Sequence, residues 1–244
     1  MADDEWRMTN DGWWGGEQMS AVPVLGRAAV RALDERAMSG YGLPGMVLME
    51  NAGRGCVDVL CQCGVRGPVA ICCGKGNNAG DGLVIARHLD LRGVAARLLF
   101  WSDPASLQGD AATNFDIARR AGLEIHVCEG PDAAAQLARH LEGVEWIVDA
   151  LLGTGAIGEP RPPLDEVIDC LNRQASHKMA VDVPSGLDCE TGATARRTFR
   201  ADHTCTFVAA KPGLVAAAAR PWVGQLHVLD IGVPRALLRE FGIG

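Results

Sequence analysis

Cys73-Gly74-Lys75-Gly76-Asn77-Asn78-Ala79-Gly80-Asp81-Gly82 follows the apolar run Val69-Ala70-Ile71-Cys72 and precedes the amphipathic run Leu83 to Leu91. That order reads as strand, glycine-rich turn, helix, and it sets backbone N–H groups and the positive end of a helix dipole against a bound anion. Four glycines within nine residues let the backbone approach a ligand closely. Asn77, Asn78 and Asp81 add side-chain oxygens at the same turn. The spacing Gly74-x-Gly76-x-x-Ala79 is a variant of the dinucleotide fingerprint, a weak signal by itself. A phosphate-cradling turn needs glycines but has no need of two amides and a carboxylate, so the polar insert points to further chemistry.

Outward from this turn, strands and helices alternate. Strands are predicted at Val69–Cys73, Ala96–Trp101, Glu124–Val127, Trp146–Leu151, Met179–Val183, Thr204–Val208 and Leu226–Ile231. Helices are predicted at Asp81–Leu91, Asp110–Arg120, Asp132–Leu141 and Leu164–Arg173, with two more, Arg27 to Ser39 and Met46 to about Cys63, ahead of the first strand. Strands separated by single helices imply right-handed crossovers. The fold class is therefore α/β: a Rossmann-like three-layer sandwich with a mostly parallel central sheet and an N-terminal helical arm. Ligands on such sheets bind outside the carboxyl ends of the strands.

Length and composition set the bounds. The 244 residues suit one α/β domain at 25–244, preceded by a flexible tail at 1–24 that carries Trp6, Trp13 and Trp14, three of the six tryptophans. A formal charge of −7 argues against nucleic acid as a partner and offers no basic face to an anionic membrane. No apolar run reaches the roughly 20 residues that span a bilayer, and the acidic start Met1-Ala2-Asp3-Asp4-Glu5 lacks a signal-peptide pattern. The nine cysteines have no zinc spacing and read as reduced thiols of a cytoplasmic protein.

Chemistry concentrates just after the predicted strands. Asp149 is followed by the glycine-rich loop Leu151-Leu152-Gly153-Thr154-Gly155-Ala156-Ile157-Gly158. Asp182 sits in an apolar run ahead of Pro184-Ser185-Gly186-Leu187-Asp188, where an unpaired carboxylate would be costly. It either has a structural partner or is kept for chemistry. Lys211-Pro212-Gly213 sets a lysine at the same edge. Glu50 and Asn51 read as helix caps or pocket residues, and Asp188 and Thr191 as turn formers. His88 and His140 fall at helix ends, and no histidine joins a catalytic constellation.

Leu48-Met49-Glu50-Asn51-Ala52-Gly53, the Gly-x-Gly-Asn-Asn-x-Gly-Asp-Gly turn, Asp149-x-x-x-Gly-Thr-Gly, Asp182-x-Pro-Ser-Gly-Leu-Asp and Lys211-Pro-Gly together resemble the NAD(P)H-hydrate epimerases. The five motifs occur in that family's order over roughly residues 25 to 235. Two positions depart from its pattern: Lys75 where proline is usual, and Ala79 where glycine is usual. The resemblance is to a stand-alone epimerase domain, without the dehydratase domain fused to it in many bacterial members.

The resemblance implies a repair isomerase that interconverts the R and S hydrates of NADH and NADPH (NADHX and NADPHX) at the hydroxyl-bearing ring carbon. A separate dehydratase then restores the cofactor, and a homodimer is the expected assembly. By the same resemblance Asn77, Asn78, Ala79, Gly80, Asp81, Gly153, Thr154, Gly155, Ala156, Ile157, Gly158, Glu159 and Asp182 contact the substrate. Asn78, Asp149 and Ser185 hold one K+ per subunit. One carboxylate with neutral oxygen donors suits a weakly charged hard cation. Inverting the carbon requires proton transfers at the hydroxyl. Asp182 is the first candidate for that work and Lys211 the second. The competing readings are an NAD(P)-dependent oxidoreductase, with Asp103 near the second strand binding ribose, and a non-catalytic nucleotide-binding module.

Overall fold

The computed structural model describes residues 22–130 and 132–243. The N-terminal arm consists of α1 (Arg27–Tyr41) and α2 (Gly45–Gln62). β1 (Val69–Cys73), α3 (Asn77–Leu91), β2 (Ala96–Phe100), α4 (Gly109–Arg120) and β3 (Glu124–Val127) build one half of the sheet. After α5 (Ala133–Leu141) the chain returns to the centre with β4 (Trp146–Ala150), α6 (Leu164–Asn172), β5 (His177–Val181) and β6 (His203–Phe207). The short helices α7 (Pro212–Val215) and α8 (Arg220–Val223), then β7 (Gln225–Leu229) and α9 (Arg235–Glu240), complete the described chain.

The sheet order is β3-β2-β1-β4-β5-β6-β7, and every pairing is parallel. Alternate residues of each strand serve opposite layers. Val69, Ile71 and Cys73 of β1 pack with α2, α3 and α4, whereas Ala70 and Cys72 pack with α5 and α6. A strand buried on both faces needs a continuous apolar sequence, and Val-Ala-Ile-Cys-Cys supplies it. The chain runs outward from β1 and restarts at β4 beside it. The crevice between the loops after β1 and β4 is therefore the switch point where α/β sheets bind ligands. The two loops nearly touch: a Cβ on Gly74 would lie 1.9 Å from the Leu151 carbonyl oxygen, so only glycine fits.

Several boundaries differ from the sequence expectation. α3 begins at Asn77 rather than Asp81, because Gly76 takes the N-cap position and Asn78 to Gly82 are buried within the fold. The Asn-Asn-Ala-Gly-Asp stretch is thus the first turn of a helix, and Ala79 sits there without a left-handed φ. Gly80 also has a packing task. A Cβ there would come within 2.6 Å of the Met49 side chain and 3.2 Å of the Ala111 Cα, so this glycine lets α3 approach α2 and α4. Gly80→Val is expected to destabilise the protein by ~1–3 kcal/mol through overpacking. An unchanged denaturation midpoint in urea would show that the helices can separate freely.

The arm is part of the body. Val24 bridges to Ala210, and the Leu25 N–H donates to the Ala210 carbonyl at 2.9 Å. Val24 is thus tied to the body of the fold, while Trp6, Trp13 and Trp14 lie outside the described residues. Glu50 lies inside α2 and does not cap it; it pairs with Arg87 and, at 2.8 Å, with His88. Asn51 instead ties α2 to the segment after β7, donating to the Ile231 carbonyl at 2.9 Å. All nine cysteines are free. Among the described residues, no helix is long and apolar enough to cross a membrane.

Candidate active site

Asp182 is the first residue beyond β5, not part of it. The strand stops because Asp182 takes a φ of +65° and the Val183 N–H donates back to the Val181 carbonyl at 2.8 Å. This three-residue γ-turn is uncommon and strained for a residue with a side chain, costing roughly 1–3 kcal/mol, and such strain collects at functional sites. The Asp182 N–H is fixed to the Cys205 carbonyl at 2.7 Å. Val208, the first residue after β6, repeats the device with φ +65° and an Ala209 N–H to Phe207 carbonyl bond of 2.7 Å. The second turn redirects the chain toward Lys211.

Lys211 is fully buried, and its Nζ lies 2.8 Å from Asp182 Oδ1. It also donates to Thr206 Oγ1 at 2.7 Å and to the Phe207 carbonyl at 3.3 Å. The Thr154 N–H donates to Asp182 Oδ2 at 3.1 Å, so the loop after β4 closes on the carboxylate from the other side. Burial pushes the Asp182 carboxyl up, but the Lys211 ammonium and these hydrogen bonds outweigh it and hold the group below the usual carboxylate range. Asp182 therefore has the structural partner that its place in an apolar run requires, and its side chain stays 14% exposed.

Asp149, at the carboxyl end of β4, is fully buried. Its Oδ1 accepts from the Ser185 hydroxyl at 2.7 Å and the Leu151 N–H at 3.1 Å, and its Oδ2 accepts from the Ser185 N–H at 2.8 Å. Burial raises its pKa to about 6 against these bonds. Asn78 stands apart from that network. Its side chain is buried, yet neither its amide nitrogen nor its amide oxygen has a partner. A methyl group on Gly153 would lie 3.5 Å from Asn78 Cγ and 3.4 Å from Asp182 Oδ2, so the orphan amide and the Asp182 carboxylate flank the same glycine. A buried amide left without partners normally costs ~1–3 kcal/mol, so this side chain is unusual among the buried polar groups described.

The remaining sequence-derived positions divide into two groups. Asn77 and Gly155 are exposed, as are Ile157, Gly158 and Glu159 on the outer part of the β4 loop, where Glu159 accepts from the Arg196 N–H at 3.1 Å. Ala156 is half-buried under the arm, and its carbonyl accepts from Arg27 at 3.4 Å. Ala79 and Gly80 face the helix packing. Lys75 is exposed at the turn between β1 and α3. Two further carboxyls join the site. Asp81 is 8% exposed, and burial, aided by the charges of Asp182 and Asp34, pushes it well above the usual range. Asp34 of α1 was not singled out from the sequence. Burial lifts it to about 6, while the Lys211 ammonium draws it down and Asp182 raises it.

Residues 45–213 match the family model described as YjeF-related protein N-terminus. The chain is 45% identical over 225 residues to an NAD(P)H-hydrate epimerase of Pirellula staleyi, covering 91% of this chain and 98% of that one. The chain belongs to the NAD(P)H-hydrate epimerase family.

A second such epimerase, from Rhodopirellula baltica, is 42% identical over 222 residues, 91% of this chain and 89% of that one. A bifunctional NAD(P)H-hydrate repair enzyme of Salinibacter ruber is 37% identical over 88% of this chain, which spans 42% of that protein. A yeast protein of known crystal structure superposes with a TM-score of 0.74 at 22% identity, over 90% of this chain and 93% of that one, and shares the fold. Asp103, the ribose ligand expected of a dehydrogenase, instead accepts from the Ala105 N–H at 2.9 Å as the cap of a short helical turn.

Proposed function

We propose that this protein interconverts the R and S hydrates of NADH and NADPH, as a partner of a separate dehydratase in cofactor repair. The observation that carries the reading is the Asp182–Lys211 pair, held on a strained turn at the switch-point edge and facing the unpartnered Asn78 amide. Loss of the hydroxyl leaves a cationic ring, and the ionised Asp182 carboxylate is placed to stabilise it without reorganisation. Lys211 keeps that carboxylate charged and aimed. The N-terminus of α3 has Gly76 at its cap with no side-chain capping bond, which favours a diphosphate there.

Asn78, Asp149 and Ser185 would hold the potassium ion. The orphaned Asn78 amide and the single buried Asp149 carboxylate fit such a group. When bound, the ion adds positive charge near an anionic ligand. Among the described residues, no three His, Cys, Asp or Glu side chains gather as a transition metal would require.

The test follows the R and S hydrates by NMR after adding the protein. Faster equilibration of the two epimers is expected, and an unchanged ratio would refute the reading. Exchanging potassium for choline is expected to slow equilibration severalfold, with recovery on adding potassium back. Equal rates in both salts would remove the ion from the site.

A further inference from the structure

Thr204 and Thr206 of β6 are both fully buried and, by the alternation of a strand, face the same side of the sheet. A hydroxyl buried in such a strand is costly unless it is hydrogen-bonded. Thr204 meets that need through the backbone: its hydroxyl donates to the Val223 carbonyl at 2.7 Å. Thr206 is used differently. Its Oγ1 accepts from Lys211 Nζ at 2.7 Å, and its own proton is left to Asp182 Oδ1 at 3.4 Å, a long contact.

An ammonium has three N–H donors and accepts nothing. Those of Lys211 meet Asp182 Oδ1 at 2.8 Å, Thr206 Oγ1 at 2.7 Å and the Phe207 carbonyl at 3.3 Å. With all three taken, Lys211 has no N–H to offer a substrate and acts through Asp182. Its side chain is fully buried, so bulk water does not replace an acceptor that is removed. Thr206 is the one side-chain acceptor in that set besides Asp182 itself.

We propose that Thr206 is a positioning residue of the epimerisation, its hydroxyl oxygen holding the Lys211 ammonium charged and in place against Asp182. This rests on the epimerase reading above. Without that oxygen one N–H of a buried ammonium is unmet, which favours the neutral amine or a displaced side chain. Either change withdraws positive charge from Asp182, whose carboxyl burial otherwise pushes up. The carboxylate that faces the cationic ring is then lost at a higher pH than in the parent. Asp34 of α1, Cys56 of α2 and Asp81 of α3 also lie within the field of Asp182. All three remain in variants of Thr206, so a shift in such a variant belongs to the threonine.

Thr206→Val keeps the shape and removes the oxygen, whereas Thr206→Ser keeps the oxygen. In Thr206→Val the acid limb of kcat against pH is expected to move up by about one unit or more, because hydrogen bonds to charged groups are the strong ones. Its kcat is expected to fall by about tenfold or more, with KM within a few-fold. Thr206→Ser returns the acid limb to that of the parent. Thr204→Val, which removes the neighbouring structural hydroxyl, should lower the urea midpoint and leave the acid limb where it is. Carbon-13 titration of the Asp182 carboxyl, assigned by its absence in Asp182→Asn, reads the same shift without substrate. The proposal is overturned if the acid limb and the carboxyl titration of Thr206→Val match the parent, or if Thr206→Ser shifts as far as Thr206→Val. Where the valine variant does not fold, Thr206→Ala is set against Thr206→Ser, since both lack the methyl group and only serine keeps the oxygen; equal titrations overturn the proposal. A parent that leaves the epimer ratio unchanged overturns the epimerase reading, and the carboxyl titration then decides by itself whether Thr206 sets the charge of the pair, so the two failures are told apart.

Discussion

Asp182→Asn is expected to give a folded protein whose kcat for epimerisation is lower by about 10²-fold or more. The substitution is mild for the backbone. Asparagine is among the few residues with side chains that accept the left-handed region, so the γ-turn at φ +65° survives. Its amide oxygen can still accept from Lys211 or from the Thr154 N–H, the bonds that orient the carboxylate. What disappears is the negative charge facing a cationic ring and the capacity to take a proton. Both act mainly in the transition state, so kcat and kcat/KM should fall together while KM changes little. Circular dichroism melts alongside the kinetics separate this from unfolding. Activity within a few-fold of the parent would remove Asp182 from the mechanism.

The frame of the molecule was legible because strands buried on both faces require uninterrupted apolar runs, and this chain separates those runs with helices. The positions just after the strands were legible for the same reason, since an α/β sheet gathers its chemistry there. The turn at Asp182 was not. Val181-Asp182-Val183 continues an apolar run, and nothing local shows that a bond between Val183 and Val181 ends the strand one residue before the carboxylate. The start of α3 was misplaced because paired asparagines favour turns by themselves. The burial of α3's first turn, with Gly80 seated against α2 and α4, overrides that preference. Lys211 stood only second to Asp182 in the sequence because its burial depends on β6, its γ-turn and the arm together. Asp34 gave no signal: a polar residue in an amphipathic helix looks solvated until Leu33 and Ala37 beside it are seen buried near Ala209. The short helices at Pro212 and Arg220 did carry a legible mark, a proline in the first turn.

Removing the other half of the ion pair is expected to reach stability as well as activity. Lys211→Met keeps much of the side-chain volume but leaves Asp182 with a side chain 14% exposed and no counter-charge. Breaking a buried pair from one side costs ~3–5 kcal/mol, because the remaining charge stays desolvated. In the parent, Lys211 holds the Asp182 pKa below its ordinary value, so the pair's contribution is present above that value and is lost as pH falls through the folded-state pKa. In Lys211→Met the sign reverses, since burial alone raises the carboxyl. The variant should therefore be weakest at neutral pH and regain stability relative to the parent as acid protonates Asp182. Urea denaturation across that range reads the effect directly. Adding Asp182→Asn to Lys211→Met should restore part of the loss, because no buried charge then remains at the pair. A double variant as unstable as the sum of the two single ones, or a loss in Lys211→Met that does not change with pH, would mean the two side chains are not coupled. Lys211 would then act only by filling space beneath the site.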